Sequence, residues 1–301
     1  MTTAQPAVRA DTTTAIARHV SAGRCILFLG AGVHYPPRPV APPARQYSYP
    51  EKDRPPLGGD LSEMLARGCG FADDFPGESP RHLARVARCY EYVHGRSALV
   101  DAVTGAVHDR TRPSPVLRAL AELQFPLVAT TNYDQLFEAA LQSHGKRPHV
   151  CVYEPEPRRV AVVPPDPSAD APFVIKLHGD VKVRESLVIT DEDYIRFVMR
   201  MGDKEPDNPV PETFRYYFKR WPTLFVGYSL KDYNLRLLFQ TLRWKMDPSY
   251  TPRTYSVDPY PDPLVLDVLQ NQQKYVTFVA EDAWEFVPRL YREVTGKEMA
   301  E

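Results

Sequence analysis

Four short apolar runs, each ending in glycine or small polar residues, constrain the fold of this 301-residue chain more than any other feature. Cys25–Leu29 leads into Gly30-Ala31-Gly32, and Leu127–Ala129 leads into Thr130-Thr131-Asn132-Tyr133-Asp134. Phe173–Leu177 leads into His178-Gly179-Asp180, and Thr223–Val226 into Gly227-Tyr228-Ser229. Continuous apolar runs bounded in this way read as strands buried on both faces, the pattern of a parallel sheet. Open α/β sheets bind ligands beyond the carboxyl ends of their strands, where a polar side chain can point outward while the strand stays buried. The four strand ends are therefore expected to converge on one crevice.

The segments between the runs supply helices. Thr14–Ala22 is a helix that Gly23 ends, and Ser114-Pro115 caps another that leads to Phe125. Between them, the proline-rich stretch 35–57 blocks regular structure, because proline removes a backbone donor. It reads as a lid, an assembly contact or a plain surface excursion. Three helices follow, from near Asp60 with Glu63 as capping-box partner, near Ser79-Pro80, and near Gly95. Further strands are expected at Val150–Tyr153, Leu187–Ile189, Thr254–Val257 and Tyr275–Val279. Thr190 with Asp193 makes a capping box, and helices are expected at Gln135–Ser143, Glu192–Met201, Phe214–Arg220, Leu230–Trp244, Pro263–Gln270 and Ala283–Thr295. The expected fold is α/β: a Rossmann-like, mostly parallel sheet with helices on both faces and an inserted helical module. Residues 1–301 form one domain in this reading, with a core of 14–34 and 113–301 and the module at 58–112.

Composition narrows the functions. Lys+Arg 37 against Asp+Glu 38 leaves a net charge of -1, which disfavours nucleic-acid binding driven by bulk positive potential. No apolar run approaches the roughly 18 residues that span a bilayer, and the N-terminus lacks a signal pattern, so a cytoplasmic protein is expected. Cys25, Cys69, Cys89 and Cys151 are far apart and form no C-x-x-C pair, so packing is expected of them rather than zinc binding or disulfides.

The strand ends carry the chemistry. Gly30, Ala31 and Gly32 let backbone approach a phosphate closely, although an isolated GAG is also consistent with a structural turn. Asn132 can both donate to and accept from a ribose hydroxyl or water, Asp134 can accept, and either could instead cap the next helix. His178 brings to the crevice edge an imidazole, a group whose unperturbed pKa is near neutral. Ser229 with Asp232 makes a capping box for the following helix.

Taken in order, GAG, T-T-N-Y-D, K-L-H-G-D and G-Y-S-L-K-D resemble the sirtuin family, in particular its bacterial sirtuin-like NAD-hydrolase branch, over most of the chain. The resemblance implies a Rossmann-like domain that binds NAD as substrate and breaks its nicotinamide–ribose bond. It implies a pyrophosphate turn at Gly30, Ala31 and Gly32, and a nicotinamide-ribose pocket shaped by Thr131, Asn132 and Asp134. It also implies a catalytic histidine at His178 with Asn132 positioning water or ribose, and an adenosine-side turn at Gly227 and Ser229.

Three departures from deacylase sirtuins bear on the activity. Thr131 stands where glutamine is usual, His34 where a small hydroxyl residue is frequent, and the four-cysteine zinc module is missing. The resemblance thus favours NAD hydrolysis without a metal, as the NAD-depleting effector of an antiphage system. Lysine deacylation and a silent nucleotide-binding subunit are the alternatives. Such effectors assemble into homo-oligomers and are controlled by partners such as an ATPase, and neither membrane nor nucleic-acid binding is expected. His34 is read as a phosphate contact or a surface-loop residue.

Overall fold

The computed structural model describes residues 6–36, 47–108, 111–156, 166–203, 208–230, 251–272 and 276–300. A seven-stranded sheet organises them. Its strands are β1 (Ile26–Leu29), β2 (Leu127–Thr130), β3 (His149–Val152), β4 (Phe173–Lys176), β5 (Thr223–Val226), β6 (Thr254–Val257) and β7 (Val276–Val279). They lie in the order β3-β4-β2-β1-β5-β6-β7, and every pairing is parallel. The order reverses at β1, which has β2 on one side and β5 on the other. A sheet wound in both directions from one strand leaves a crevice at that reversal, outside the carboxyl ends.

Side-chain alternation within each strand builds two cores. Leu27 and Leu29 of β1 face a cluster that includes Ile16 and Val20, Leu120, Leu141, and Phe286 and Leu290. These belong to α1 (Pro6–Ser21), to two helices that follow in the chain, and to the last helix, Ala283–Thr295. Ile26 and Phe28 face the opposite cluster, with Phe197, Phe214, Phe218 and Val265. Each such fully buried Leu or Phe contributes about 1.5–3 kcal/mol relative to exposure, which is why the strands are continuous apolar runs.

Between β1 and β2 come α2 (Gly58–Cys69), α3 (Phe71–Asp74), α4 (Leu83–His94), α5 (Arg96–His108) and α6 (Pro115–Glu122). The apolar faces of α2, α4 and α5 form a third cluster, which takes in Tyr133, Val181, Leu187 and Ile189 from the sheet side. Ser114 caps α6 as expected, accepting from Leu117 N at 3.1 Å and donating to Val33 O at 2.9 Å. Beyond β2 lies α7 (Leu136–Ser143), and beyond β4 come α8 (Asp191–Arg200) and α9 (Glu212–Phe218). The Thr190–Asp193 capping box is formed at α8.

Several local expectations are corrected. Leu187–Ile189 is not a strand: Val188 N donates to the His178 carbonyl (3.0 Å) and Val188 O accepts from Tyr133 Oη (2.8 Å), so a loop and a side chain replace the ladder. Glu63 makes no capping box, because α2 follows Leu57 and Arg81 draws both Glu63 (2.6 Å) and Asp60 (3.0 Å) into charge-assisted bonds. The helix expected near Ser79-Pro80 starts at Leu83, after a turn in which Ser79 Oγ accepts from Arg81 N. All but Leu230 of the helix expected over Leu230–Trp244, the capping partner Asp232 and the proline-rich positions 37–46 lie outside the described residues.

Candidate functional site

A cleft of about 570 Å³ opens at the carboxyl ends of β1, β2, β4, β5 and β6. Ala31, Gly32, Thr131, Asn132, Asp134, His178, Gly227 and Ser229 all line it. Gly30 does not line it and is buried.

At the β1/β5 end, backbone meets backbone. A methyl group on Gly30 would lie 2.3 Å from Gly227 O, and one on Gly32 would lie 2.8 Å from the same oxygen. Gly227 has φ +68°, and its added methyl would lie 2.3 Å from Val33 N. Gly30 N donates to Val226 O (3.0 Å) and Gly32 N to Gly227 O (2.8 Å). These glycines allow β1 and β5 to turn off the sheet in contact with each other. The need for glycine at position 30 is therefore internal, whereas Gly32 and Gly227 also face the cleft.

At the β2/β4 end, side chains do the shaping. Thr130 Oγ1 donates to Leu29 O (3.0 Å) and accepts from Asn132 N (3.0 Å), which fixes the backbone carrying Asn132. Asp134 Oδ1 accepts from Leu136 N at 2.9 Å, which closes a turn just before α7, and the residue lines the cleft as well. His178 is only 7% exposed and stands edge-on to Tyr194 at 5.0 Å and to Phe197 at 5.8 Å. The following Gly179 has φ +86°, and a methyl there would lie 2.2 Å from Ser186 O. The turn that presents the imidazole is thus fixed from both sides.

His34 is neither a phosphate contact nor a surface-loop residue. It is fully buried and absent from the cleft lining. Tyr49 Oη lies 3.2 Å from its Nδ1, 2.7 Å from Arg112 O and 3.0 Å from Asp53 O. The single hydroxyl proton is needed by a carbonyl, so Nδ1–H of His34 donates to Tyr49. That leaves His34 Nε2 buried without a hydrogen-bond partner among the described residues. Burial lowers the imidazole pKa, with the Asp134 charge acting in the opposite direction.

Other cleft residues escape a reading of the sequence. Asp258 follows β6 directly and Asp282 caps the last helix, accepting from Trp284 N at 2.8 Å. Burial raises the Asp282 carboxyl pKa, against the lowering effect of that backbone bond. Asp258 carries the strand-end signal used for the other four, in a strand whose sequence is less apolar. Leu57, Leu61, Leu83 and Val107 also line the cleft, the last three from α2, α4 and α5, where they read as ordinary apolar residues of helix faces. The proline-rich stretch contributes Pro55 and Pro56, tied down where Tyr35 Oη donates to Pro55 O (3.0 Å) and accepts from Leu57 N (3.2 Å).

Among the described residues, no group of three or more His, Cys, Asp or Glu side chains is arranged to hold a metal, and no helix is long and apolar enough to cross a membrane. The cysteines are free thiols, with Cys25 and Cys69 buried and Cys89 and Cys151 half-buried.

Comparison with known proteins identifies relatives of the chain. NAD(+) hydrolase ThsA of Enterococcus faecium is 30% identical over 135 residues, 45% of this chain and 26% of that protein. NAD(+) hydrolase ThsA of Cytobacillus dafuensis is 27% identical over 171 residues, covering 55% and 31%. Defense-associated sirtuin 2 of Bacillus subtilis is 24% identical over 167 residues, covering 54% and 14%. The matched stretch thus spans less than a third of each of these curated relatives. Residues 126–280, which run from β2 to the end of β7, match the family model described as SIR2-like domain. With its parallel sheet and its strand-end cleft, the chain belongs to the SIR2-like family.

Proposed function

We propose that the cleft binds NAD and that the protein hydrolyses the bond between nicotinamide and ribose. The observation that carries this reading is the meeting of Asn132 and His178 in one cleft, at the ends of the paired strands β2 and β4. The cleft volume lies within the range of small-molecule sites, and its polar groups sit at the reversal of strand order. The names of the relatives point to the same activity.

In the proposed reaction the C1′–N bond breaks and its electron pair leaves with nicotinamide, so positive charge develops on the ribose. Water then bonds to C1′ and gives up a proton, which His178 accepts and passes to solvent. Asn132 orients the water or a ribose hydroxyl, and Asp134 adds negative potential beside the developing cation. Ala31, Gly32, Gly227 and Ser229 face the phosphates and adenosine. Asp258 and Asp282 are suited to accept hydrogen bonds from ribose hydroxyls at the far end.

In this reading the enzyme depletes NAD in the cytoplasm of a bacterium under phage attack. It acts as a homo-oligomer or under a separate defence partner such as an ATPase. Residues 58–112 serve as a helical module inserted into a core of 14–34 and 113–301. The test is nicotinamide release from NAD by purified protein, with and without an acyl-lysine peptide, and then within cells that express neighbouring genes. Release without peptide is expected. His178→Ala and Asn132→Ala should each lower turnover about a hundredfold or more while the fold survives. Wild-type rates in both folded variants, or release only with peptide, would overturn the assignment.

A further inference from the structure

Beneath the cleft, and outside the residues that line it, lies a fully buried lysine. Lys176 ends β4, two positions before His178, and its side chain has no solvent exposure. Its ammonium stands 2.6 Å from Asp180 Oδ2, 3.5 Å from Tyr133 O and in short contact with Asp134 O. Glu138 Oε1 is a further neighbour at 3.2 Å, in an ion pair with the ammonium. The ammonium thus has four oxygen neighbours for its three protons, and Tyr133 O at 3.5 Å is the most distant of them.

The acceptors belong to two different loops. Tyr133 and Asp134 lie in the loop that carries Asn132, while Asp180 lies in the loop that carries His178. Asp180 extends the link: both its carboxylate oxygens accept from Gln135 Nε2 at 3.2 Å, and Oδ1 also accepts from Lys182 N at 2.8 Å. A single backbone bond, Val181 N to Tyr133 O at 3.1 Å, joins the same loops directly. Burial disfavours the ammonium, yet the Glu138 and Asp180 carboxylates outweigh it and hold the lysine pKa above its usual value. Burial raises the Glu138 pKa in turn, with Lys176 opposing.

We infer that Lys176 is a positioning residue, which with Asp180 clamps the Asn132 loop to the His178 loop so that both side chains meet the same substrate. The inference rests on the NAD-cleavage reading for its catalytic meaning. Its structural content stands independently. An apolar residue would fill the same volume in a plain core, so a buried ammonium set among two carbonyls and two carboxylates is spent on holding geometry. A misplacement of a reacting group by about 1 Å lowers rates about a hundredfold.

The test compares wild type with Lys176→Met and with Asp180→Asn, which keeps the shape of the carboxylate and removes its charge. Hydrogen exchange reads the clamp without any need for turnover. The amides of Leu136, Val181 and Lys182 should exchange about tenfold faster or more, while those of β1 and β5 change less than about twofold. In nicotinamide release, kcat should fall about thirtyfold or more with KM within about threefold, the signature of lost positioning rather than lost binding. Exchange that rises evenly across the sheet would mean a structural role alone and overturn the inference. Wild-type exchange in both loops, or loosened loops with unchanged kcat, would overturn it too. If Lys176→Met does not fold, Asp180→Asn decides by the same criteria. A wild-type protein that cleaves no NAD would sink the proposed activity, and the exchange measurement would still decide whether the clamp exists.

Discussion

The two ends of the cleft floor are built by opposite means. At the β1/β5 end, Gly30, Gly32 and Gly227 let two backbones touch, and the surface offered to a ligand is main chain. At the β2/β4 end, Asn132, Asp134 and His178 offer side chains, held by Thr130, Gly179 and the buried Lys176–Asp180 pair. The difference teaches where stability and chemistry reside. Contacts made by glycine backbone tolerate no added atom, whereas a side chain that points into a cleft can be truncated with little effect on packing.

That contrast can be broken directly. Gly227→Ala should cost about 3 kcal/mol or more in chemical denaturation, because it combines a left-handed φ with a methyl 2.3 Å from Val33 N. Asn132→Ala, at the other end, should change unfolding free energy by less than about 1 kcal/mol, since its half-buried side chain faces the cleft. Equal losses in the two variants would erase the distinction.

A pH series sharpens the picture around His34, which packs behind the β1 end. Burial lowers its pKa below the usual 6.5, so the folded protein takes up this proton less readily than the unfolded chain. The stability is therefore fully present above about pH 6.5 and is lost as pH falls through the folded-state value. His34→Gln should reduce the loss of unfolding free energy as pH falls below about 6.5. An unchanged pH slope would show that His34 titrates alike in both states. The smallest effect is expected outside both ends of the cleft. Arg184→Ala removes an exposed ion pair with Asp101 and should cost about 0–1 kcal/mol in the same denaturation experiment. A larger loss would mean that the contact between α5 and the loop after β4 is more than surface decoration.

Much of this was legible in the chain. The strands β1, β2, β4 and β5 are apolar runs with sharp polar ends, and such runs have one economical fate in an α/β core. The caps at Ser114 and Thr190 were equally readable, since the acceptor and its target lie within one turn of each other. Leu187–Ile189 was misread because its apolar triplet is held by His178 and Tyr133, partners remote in sequence. His34 was misread for the same reason. Its environment is made by Tyr49 and Arg112, which no local pattern connects to it. Lys176 stood in plain view inside K-L-H-G-D, but nothing in that motif says that its amine turns inward to the loop after β2.

The sequence by itself determined the parallel sheet, the order of its polar ends and the residue types that reach the crevice, because strand burial and helix capping act over a few adjacent residues. Only the tertiary structure decided that Gly30 serves Gly227, that Asp258 and Asp282 join the cleft, and that Lys176 ties two loops together. Those facts depend on which strands become neighbours, and a buried charge or a tight glycine finds its partner only after the sheet has closed around it.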